Sequence, residues 1–422
     1  MTKIKMKQKI FMQFPALKHK NFRYFLEGQS ISLIGTWMQR AAQQWIVYQL
    51  TKSAFILGLV GVFQFMPMLL LSLFAGVLAD RFPKKRLLLI TQSIQMFQAI
   101  FLALLILTGY IEYWHILIMA GVLGLANTFD MPARQSFFVE LVGKEDLGCA
   151  IGLNSTIVNI ARIIGPAIGG LMLTYFGAGF CFLLNGLSFI AVLLGLMRIN
   201  GYNSVLRERG NNVLNEIYDA LKYVYSKRII LEAILSMLIV GTIAMNADVI
   251  LPVYASETLG QQVGGYSFML SAMGVGSLIG SIMFAGRSKD IFRKQILYKL
   301  SAPLSICLII IGSIRNYYLS LLSLVVLGFF NIYFMATVNS TVQLNSKDEY
   351  RGRVMGLYSL VFTGTTPIGN FFTGVINQKF GPTICFLVCG IVTISLMTVL
   401  TVVGYKKELD QERKLYKSDI YK

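Results

Sequence analysis

Several ionisable side chains in or beside long apolar stretches could do chemistry, because a charge there is costly and usually functional. Arg162 stands near the middle of one stretch, and we expect it to bind an anionic group or to pair with an acid. Arg40 stands in the first stretch. Asp248 and Glu27 are the main candidates for reversible proton binding, since burial and a nearby cation tune a carboxylate's affinity for a proton. Asp130 is a third carboxylate of this kind.

Polar side chains follow one face of the first apolar stretch. Gln29, Thr36, Arg40 and Gln43 recur, together with Ser32, at spacings of three and four residues. Because residues at these spacings share one face of an α-helix, we expect the stripe to face an internal cavity. Arg40 has an alternative, which is to extend its guanidinium group to the nearest water-facing surface.

Bulky apolar side chains on the first two stretches would give this cavity an adaptable wall. They are Trp37, Trp45, Phe63, Phe65 and Met66. Such a wall suits hydrophobic or amphipathic molecules of varied shape. The five cysteines include no CxxC pair and have no histidine cluster beside them. We therefore expect no metal site, no disulfide framework and no cofactor.

The composition places these residues in a membrane. Of the 422 residues, 55% are hydrophobic and 14% are charged, whereas soluble domains have about 25% charged residues. In a soluble protein, the net charge of +18 would suggest nucleic-acid binding. Basic loops that face an anionic leaflet explain the charge better here, so no nucleic-acid partner is expected.

The apolar runs predict an all-α membrane protein of twelve transmembrane helices, since each crossing needs about 20 mostly apolar residues. The predicted bounds are 24–49, 54–79, 87–109, 114–140, 148–175, 179–199, 229–256, 264–286, 293–314, 317–344, 352–377 and 382–405. The loops on one side contain only Lys52, Arg315 and Lys379, and most other basic residues fall on the opposite side. This bias predicts a multi-pass protein of the cell (plasma) membrane with both termini in the cytoplasm.

A long connection divides the chain into two predicted six-helix bundles. The bundles comprise residues 1–199 and 229–422, the second ending in a cytoplasmic tail, and the linker comprises residues 200–228. A single helical stripe in the linker predicts an amphipathic helix at the cytoplasmic interface. Its apolar members are Val213, Leu214, Ile217, Leu221, Val224 and Tyr225.

The two halves also match each other at an offset of 204 residues. The matching residues Gly148, Gly152, Leu153, Ser155, Gly165 and Gly170 correspond to Gly352, Gly356, Leu357, Ser359, Gly369 and Gly374. Because six predicted spans, an even number, separate the copies, the copies have the same orientation. Parallel six-helix pseudo-repeats of this kind describe the major facilitator architecture, in which two bundles rock about a central cavity.

The most specific motif lies between the second and third spans and reads Gly76-Val-Leu-Ala-Asp80-Arg81-Phe-Pro-Lys84-Lys85-Arg86. It resembles the major facilitator superfamily signature G-x-L-a-D-R-x-G-r-[KR], with Pro83 in place of the second glycine. The resemblance implies a conformational switch in which Asp80 pairs with a cation, such as Arg134, or with the N-terminus of another helix. Alternatively, Asp80 and the basic residues only fix the topology. Gly286 replaces the acid in a degenerate second copy, so we expect an asymmetric latch.

The fifth span contains Gly165-Pro166-Ala-Ile-Gly169-Gly170, which is similar to the G-P-x-x-G-G core of the antiporter motif of drug:proton exporters. Glycine and proline there would bend the helix and let a neighbour approach, sealing the cavity against proton leak. A glycine-rich packing helix is the alternative. The segments Asp130-Met-Pro132-Ala-Arg134 and Arg351-Gly352-Arg353 resemble the superfamily branch of siderophore (enterobactin-type) and macrolide exporters.

These resemblances imply a secondary active transporter rather than an enzyme. The expected function is proton-driven export of hydrophobic or amphipathic small molecules, of drug or siderophore type, by alternating access. An importer of a small nutrient, a non-transporting membrane receptor and a membrane enzyme are the alternatives. The sequence has no GxxxxGK[ST] loop, which argues against ATP-driven pumping. The expected partners are the bilayer, a small-molecule substrate and protons, and we expect a monomer.

Overall fold

The first part of the chain forms long helices joined by short turns. The computed structural model describes residues 14–200, 213–286 and 295–420. A short 3-10 turn, Pro15–Lys18, precedes the first helix. The helices are α1 (Lys20–Thr51), α2 (Ala54–Arg81), α3 (Lys84–Leu107), α4 (Tyr113–Val142), α5 (Leu147–Tyr175) and α6 (Ala178–Arg198).

The second part of the chain is also helical, with two interruptions. Its helices are α7 (Val213–Ser226), α8 (Arg228–Ile243), α9 (Ala247–Val253), α10 (Val263–Gly286), α11 (Gln295–Ser313), α12 (Tyr317–Asn345) and α13 (Asp348–Ile420). A π-helical turn, Tyr254–Thr258, follows α9. Gly381 has φ 80° and ψ 167°, a conformation that glycine alone adopts readily, and it breaks α13 into two helical pieces.

The predicted helix 229–256 is wrong as a continuous element. The chain leaves the α-helix at Ala244 and resumes it at Ala247. The amide nitrogen of the Asn246 side chain donates to the carbonyl of Thr242, 2.7 Å away, and so satisfies a carbonyl at the end of α8. The break places Asp248 in the first turn of α9.

Length and composition identify a membrane protein. Within the described residues, nine helices are long and apolar enough to cross a membrane, the last of them being Glu349–Val403 with the Gly381 break inside it. Leu297–Ser313 is a shorter apolar helix. Helix α1 is also long, but it contains several glutamines and an arginine, so it is less apolar than these helices. The chain is therefore an all-helical, multi-pass membrane protein.

Helices from the two parts of the chain make their two most extensive contacts with each other in the following pairs. Helix α2 packs against α13, and α5 packs against α10. Within the first part, α1 packs on α5 and α6, and α2 packs on α4. Within the second part, α10 packs on α12, and α13 packs on α8 and α11. The two inter-part crossings leave a space between them that α1, α8 and α12 help to enclose.

The two ends of this arrangement differ in how closely the helices approach. Where α1 ends and α2 begins, which we call the closed end, the Ser53 hydroxyl donates to Oε1 of Gln378 at 2.9 Å, joining α2 to α13. At the opposite end, which we call the open end, a methyl group added to several glycines would meet no described atom within 4 Å. These glycines are Gly76, Gly148, Gly152, Gly286, Gly352 and Gly356.

The linker helix α7 docks on α13 through a face that the predicted stripe does not include. The ring of Tyr223 stacks on Tyr350 with centroids 4.4 Å apart, and its hydroxyl accepts from the backbone N–H of Lys347 at 3.0 Å. Of the predicted stripe, Val224 is buried, whereas Leu221 and Tyr225 are exposed. The side chains of Val213, Leu214 and Ile217 lie outside the described part of the structure.

Candidate functional site

A cavity of about 300 Å³ lies between the two parts of the chain. Its polar wall carries Arg40 and Trp37 from α1, Arg162 from α5, and Asp248 from the first turn of α9. The apolar wall is built mainly from methionine, leucine and phenylalanine side chains, which are Phe65, Met237, Met245, Leu270, Met273, Met335 and Phe362. Helices from both parts of the chain therefore share one cavity.

An ion pair joins the two parts of the chain inside this cavity. Nη2 of Arg40 donates to Oδ2 of Asp248, although the two residues are 208 positions apart in sequence. Both side chains keep partial exposure, 38% for Arg40 and 26% for Asp248, so the pair is wetted by the cavity. Of the two alternatives for Arg40, the structure has cavity lining rather than extension to a surface.

Trp37 contacts both cavity arginines. The guanidinium carbon of Arg40 lies 5.1 Å from the centre of the Trp37 ring, and that of Arg162 lies 5.0 Å from it. A cation at this distance from an indole ring is attracted by the ring's negative face. Trp37 thereby contacts two positive groups that both line the cavity.

Arg162 is partly buried, and its charge has less compensation than that of Arg40, which pairs with Asp248. Its Nε has no hydrogen-bond partner among the described residues. Its electrostatic interactions include repulsion from Arg40 and attraction to Asp248. The sequence alternatives were an anion site or a dedicated acid partner, and the described part of the chain provides Arg162 with no carboxylate of its own.

The glycines of the Gly165–Gly170 motif let α5 approach two neighbours. A methyl group at Gly165 would lie 2.5 Å from Cβ of Trp37, and one at Gly170 would lie 2.4 Å from Cβ of Ser267. Gly169 faces Met38, with a corresponding distance of 3.3 Å. Pro166 lines the cavity. The motif thus packs α5 against α1 and α10 along one side of the cavity.

The closed end is sealed by polar and aromatic contacts between the two parts. The Tyr48 hydroxyl donates to Oε1 of Glu257 at 2.6 Å. Trp45 stacks on Tyr266 with ring centroids 5.4 Å apart, so it seals this end instead of lining the cavity. Of the other predicted wall residues, Trp37 and Phe65 line the cavity, whereas the described lining does not include Phe63 or Met66.

The predicted switch segment lies at the open end, and its basic residues have partners. Lys84 forms a buried ion pair with Glu140, with Nζ and Oε1 3.5 Å apart, and Lys85 donates to the carbonyl of Ile199 at 2.7 Å. Arg81 is exposed. At Gly76, no described atom lies within 4 Å of the position of an added methyl in this state.

Arg134, the predicted partner of Asp80, binds Asp130 one helical turn earlier. Its Nε donates to Oδ2 of Asp130 at 2.9 Å. The other carboxylate oxygen of Asp130 accepts from Thr91 at 2.9 Å and from Gln92 at 2.7 Å. The side chain of Asp80 lies outside the described part of the structure.

Four predicted residues lie away from the cavity lining. Gln29 and Gln43 are buried, the Thr36 hydroxyl donates to the carbonyl of Ser32, and Glu27 is exposed. The stripe on α1 is therefore divided, with Arg40 alone of its predicted members in the described lining.

A buried amide network holds α1 to α3 and α6, and the sequence pattern did not single it out. Nε2 of Gln39 donates to Gln98 at 3.2 Å, and Nδ2 of Asn185 donates to Gln39 at 2.7 Å. Among the described residues, no group of three or more His, Cys, Asp or Glu side chains is arranged to hold a metal ion.

The chain is similar to known transporters over nearly its whole length. It is 28% identical to the staphyloferrin A transporter of Staphylococcus aureus (strain NCTC 8325 / PS 47), across 92% of this chain and 98% of that protein. It is 24% identical to the multidrug efflux pump Tap of Mycolicibacterium fortuitum, across 87% of this chain and 91% of that protein.

Among solved structures, the fold matches that of a D-xylose–proton symporter with a TM-score of 0.74 and 12% identity, covering 90% of this chain and 97% of that one. The model of the transmembrane secretion effector family matches residues 12–418. These findings confirm the predicted resemblance to major facilitator exporters and a transporter rather than an enzyme. The chain belongs to the transmembrane secretion effector family of the major facilitator superfamily.

Proposed function

We propose that this transporter exports hydrophobic or amphipathic small molecules by alternating access, driven by the proton gradient. The observation that carries the proposal is the cavity between the two parts of the chain, closed at one end by inter-part contacts and open at the other. Access from one side at a time is what a rocking carrier requires. Similarity to a multidrug efflux pump and to the staphyloferrin A transporter supports a small-molecule cargo, and the pump supports export.

We infer twelve spans in two bundles, residues 1–199 and 229–422, joined by the linker 200–228. The nine apolar helices become ten when Glu349–Val403 is divided at Gly381, and α1 and α11 bring the number to twelve. A three-dimensional repeat supports the two bundles. Three pairs of glycines that are 204 residues apart in sequence each contact a corresponding pair of residues, 208 or 209 apart. Gly124 contacts Gln64 as Gly328 contacts Met273, and Gly165 contacts Ile34 as Gly369 contacts Thr242. In the same way, Gly186 contacts Ile100 and Gly390 contacts Ile309.

The basic residues support an orientation with both termini in the cytoplasm of a plasma-membrane protein. Lys52 stands between α1 and α2, and Arg315 between α11 and α12, both at the closed end. The basic cluster after α2 lies at the open end. Under the positive-inside rule, the open end is cytoplasmic, so the structure corresponds to an inward-facing carrier ready to take cargo from the cell.

Asp248 is our preferred proton site. It lines the cavity and pairs with Arg40, so protonation would break a bond between the two bundles. Protonation of Asp248 would therefore shift the equilibrium between the inward-facing and outward-facing states. Glu27 is the weaker candidate, because it is exposed and outside the described cavity lining.

The Gly76–Arg86 segment is proposed as a conformational switch at the open end. Lys84 and Arg134 already hold Glu140 and Asp130 within the first bundle, which supports a rigid platform there. Asp80 remains the residue proposed to pair across the bundles when that end closes. The Gly165–Gly170 segment is proposed to seal the cavity, because its glycines allow contact with both α1 and α10.

Efflux of amphipathic dyes from loaded cells tests the proposal. Cells that overexpress the protein, compared with cells that lack it, should accumulate less of at least one dye in a panel of cationic, neutral and anionic dyes. An uncoupler should abolish the difference. Asp248→Asn should remove the dependence on the proton gradient, and Glu27→Gln should preserve it. Equal accumulation of every dye in both strains would overturn export, and efflux insensitive to the uncoupler would overturn proton coupling.

A further inference from the structure

The cavity has an excess of positive charge. Arg40 and Arg162 line it, and Asp248 is the one carboxylate in its described lining. Since Asp248 is engaged by Arg40, the fixed charges of the site sum to about one positive charge centred on Arg162. A charge held away from water is costly unless a partner compensates it.

The surroundings of Arg162 leave room for that partner in the cavity. Trp37 supports one face of its guanidinium group, and Nε is buried without a hydrogen-bond partner among the described residues. A guanidinium group carries five N–H donors in a rigid fork that matches the two oxygens of a carboxylate. The contact with the Trp37 ring, 5.0 Å from the guanidinium carbon, restrains this group before any ligand binds, so less entropy is lost on binding.

The rest of the cavity specifies what should be attached to the anionic group. Met237, Met273 and Phe362 form part of the apolar wall of the cavity. Asn331 from α12 also lines the cavity, and its side-chain oxygen is buried without a hydrogen-bond partner in the described part of the chain. An apolar body would match the wall that these methionine and phenylalanine side chains form.

We propose that the cavity binds a small amphipathic carboxylate, with the carboxylate on Arg162 and its apolar body against the Met237, Met273 and Phe362 wall. This inference rests on the proposed transport function and adds the charge class of the cargo. Arg40 is held by Asp248, so Arg162 makes the primary contact. The ligand oxygens would accept from the guanidinium group that the protein leaves uncompensated.

Matched acid and amide probes test the proposal by direct binding. The protein is placed in phosphatidylcholine nanodiscs, because an anionic lipid headgroup could compete for the same arginine. Three acids, 4-tert-butylbenzoate, naphthalene-2-carboxylate and octanoate, are each compared with their neutral amide at constant ionic strength. Trp45→Phe and Trp114→Phe leave Trp37, which touches the site, as the single fluorescent reporter among the three tryptophans.

We expect at least one acid to bind about tenfold or more tightly than its amide, because hydrogen bonds to charged groups are the strong ones. Arg162→Gln should remove this preference and leave amide binding within about threefold, since only the charged contact is lost. Arg162→Lys should restore part of the preference as a point charge. The control is Arg315→Gln, which removes the same charge from an exposed loop and should change nothing.

Several results would overturn the anion site. They are equal binding of every acid and its amide, an acid preference that survives Arg162→Gln, or an equal loss of acid and amide binding in Arg162→Gln and Arg162→Lys. Thermal unfolding of each variant checks that it is folded. Dye export by a protein with no acid preference would overturn this inference and leave the proposed function standing. An acid preference in a protein that exports no dye would overturn the proposed function and leave the anion site standing.

Discussion

Adding one methyl group at Gly170 is expected to open the closed end. Gly170 of α5 faces Ser267 of α10, and the added Cβ would lie 2.4 Å from the Cβ of Ser267. Carbon atoms in good contact are about 3.5–4.0 Å apart, so the helices must separate in this state. Overpacking of this kind costs about 1–3 kcal/mol. The cost falls only on the state in which α5 and α10 touch here, so Gly170→Ala should shift the equilibrium between states by about 5- to 150-fold.

Gly152→Ala is a matched control on the same helix. A methyl group there would meet no described atom within 4 Å. Both substitutions replace glycine by alanine inside a helix, which favours the helix by about 1 kcal/mol in each variant. The difference between the two variants therefore isolates the contact with α10.

Distances between spin labels at Lys52 and Lys379 measure the opening, because these exposed residues flank the closed end on opposite parts of the chain. The labels are introduced as cysteines after replacement of the five native cysteines. In double electron–electron resonance, Gly170→Ala should gain a population at longer distance, and Gly152→Ala should not. An unchanged distribution in Gly170→Ala, or the same gain in both variants, would refute the steric reasoning.

Three further predictions concern polar and aromatic contacts. Asp248→Asn should make efflux independent of an imposed proton gradient in vesicles, whereas Asp248→Glu should keep the dependence, because only a carboxylate can carry the proton. Tyr48→Phe removes the hydrogen bond to Glu257 and should destabilise the closed end by about 1 kcal/mol. In the spin-label assay, the population in which this end has opened should therefore rise about fivefold. Tyr223→Leu should speed hydrogen exchange in α7 by removing its stack on α13, and Tyr225→Leu, at an exposed side chain, should leave exchange unchanged.

The bounds of most helices follow from the sequence, because a bilayer crossing demands a long apolar run and the loops end it with charge or glycine. The predicted span 148–175 corresponds to α5 (Leu147–Tyr175), and 264–286 corresponds to α10 (Val263–Gly286). The break at Ala244 does not follow, because Asn246 and Asp248 stand in a run that is otherwise mostly apolar and long enough to be read as one span. It depends on the Asn246 side chain bonding a backbone carbonyl, a contact that hydropathy does not register.

The sequence singles out the charged residues of the cavity but not the way they assemble. The cost of charge in an apolar stretch is enough to single out Arg40, Arg162 and Asp248. The Arg40–Asp248 pair joins residues 208 positions apart, and a sequence pattern carries no such distance information. Helical spacing predicts that Gln29 and Gln43 share a face with Arg40, but it does not say which part of that face packs against neighbouring helices. Both glutamines are buried and lie outside the described cavity lining.

The glycines at the open end have no described close contact in this structure, which indicates that their packing role belongs to another conformation. Gly170 has a tight contact in this state, whereas Gly148 and Gly152 on the same helix face open space, as do their counterparts Gly352 and Gly356. Each glycine inside a helix costs about 1 kcal/mol relative to alanine, and in this state the open-end glycines gain no described contact in return. A carrier that closes its other end would bring the same ends of α5 and α13 against neighbouring helices. The compensating contacts of these glycines would then belong to the outward-facing state.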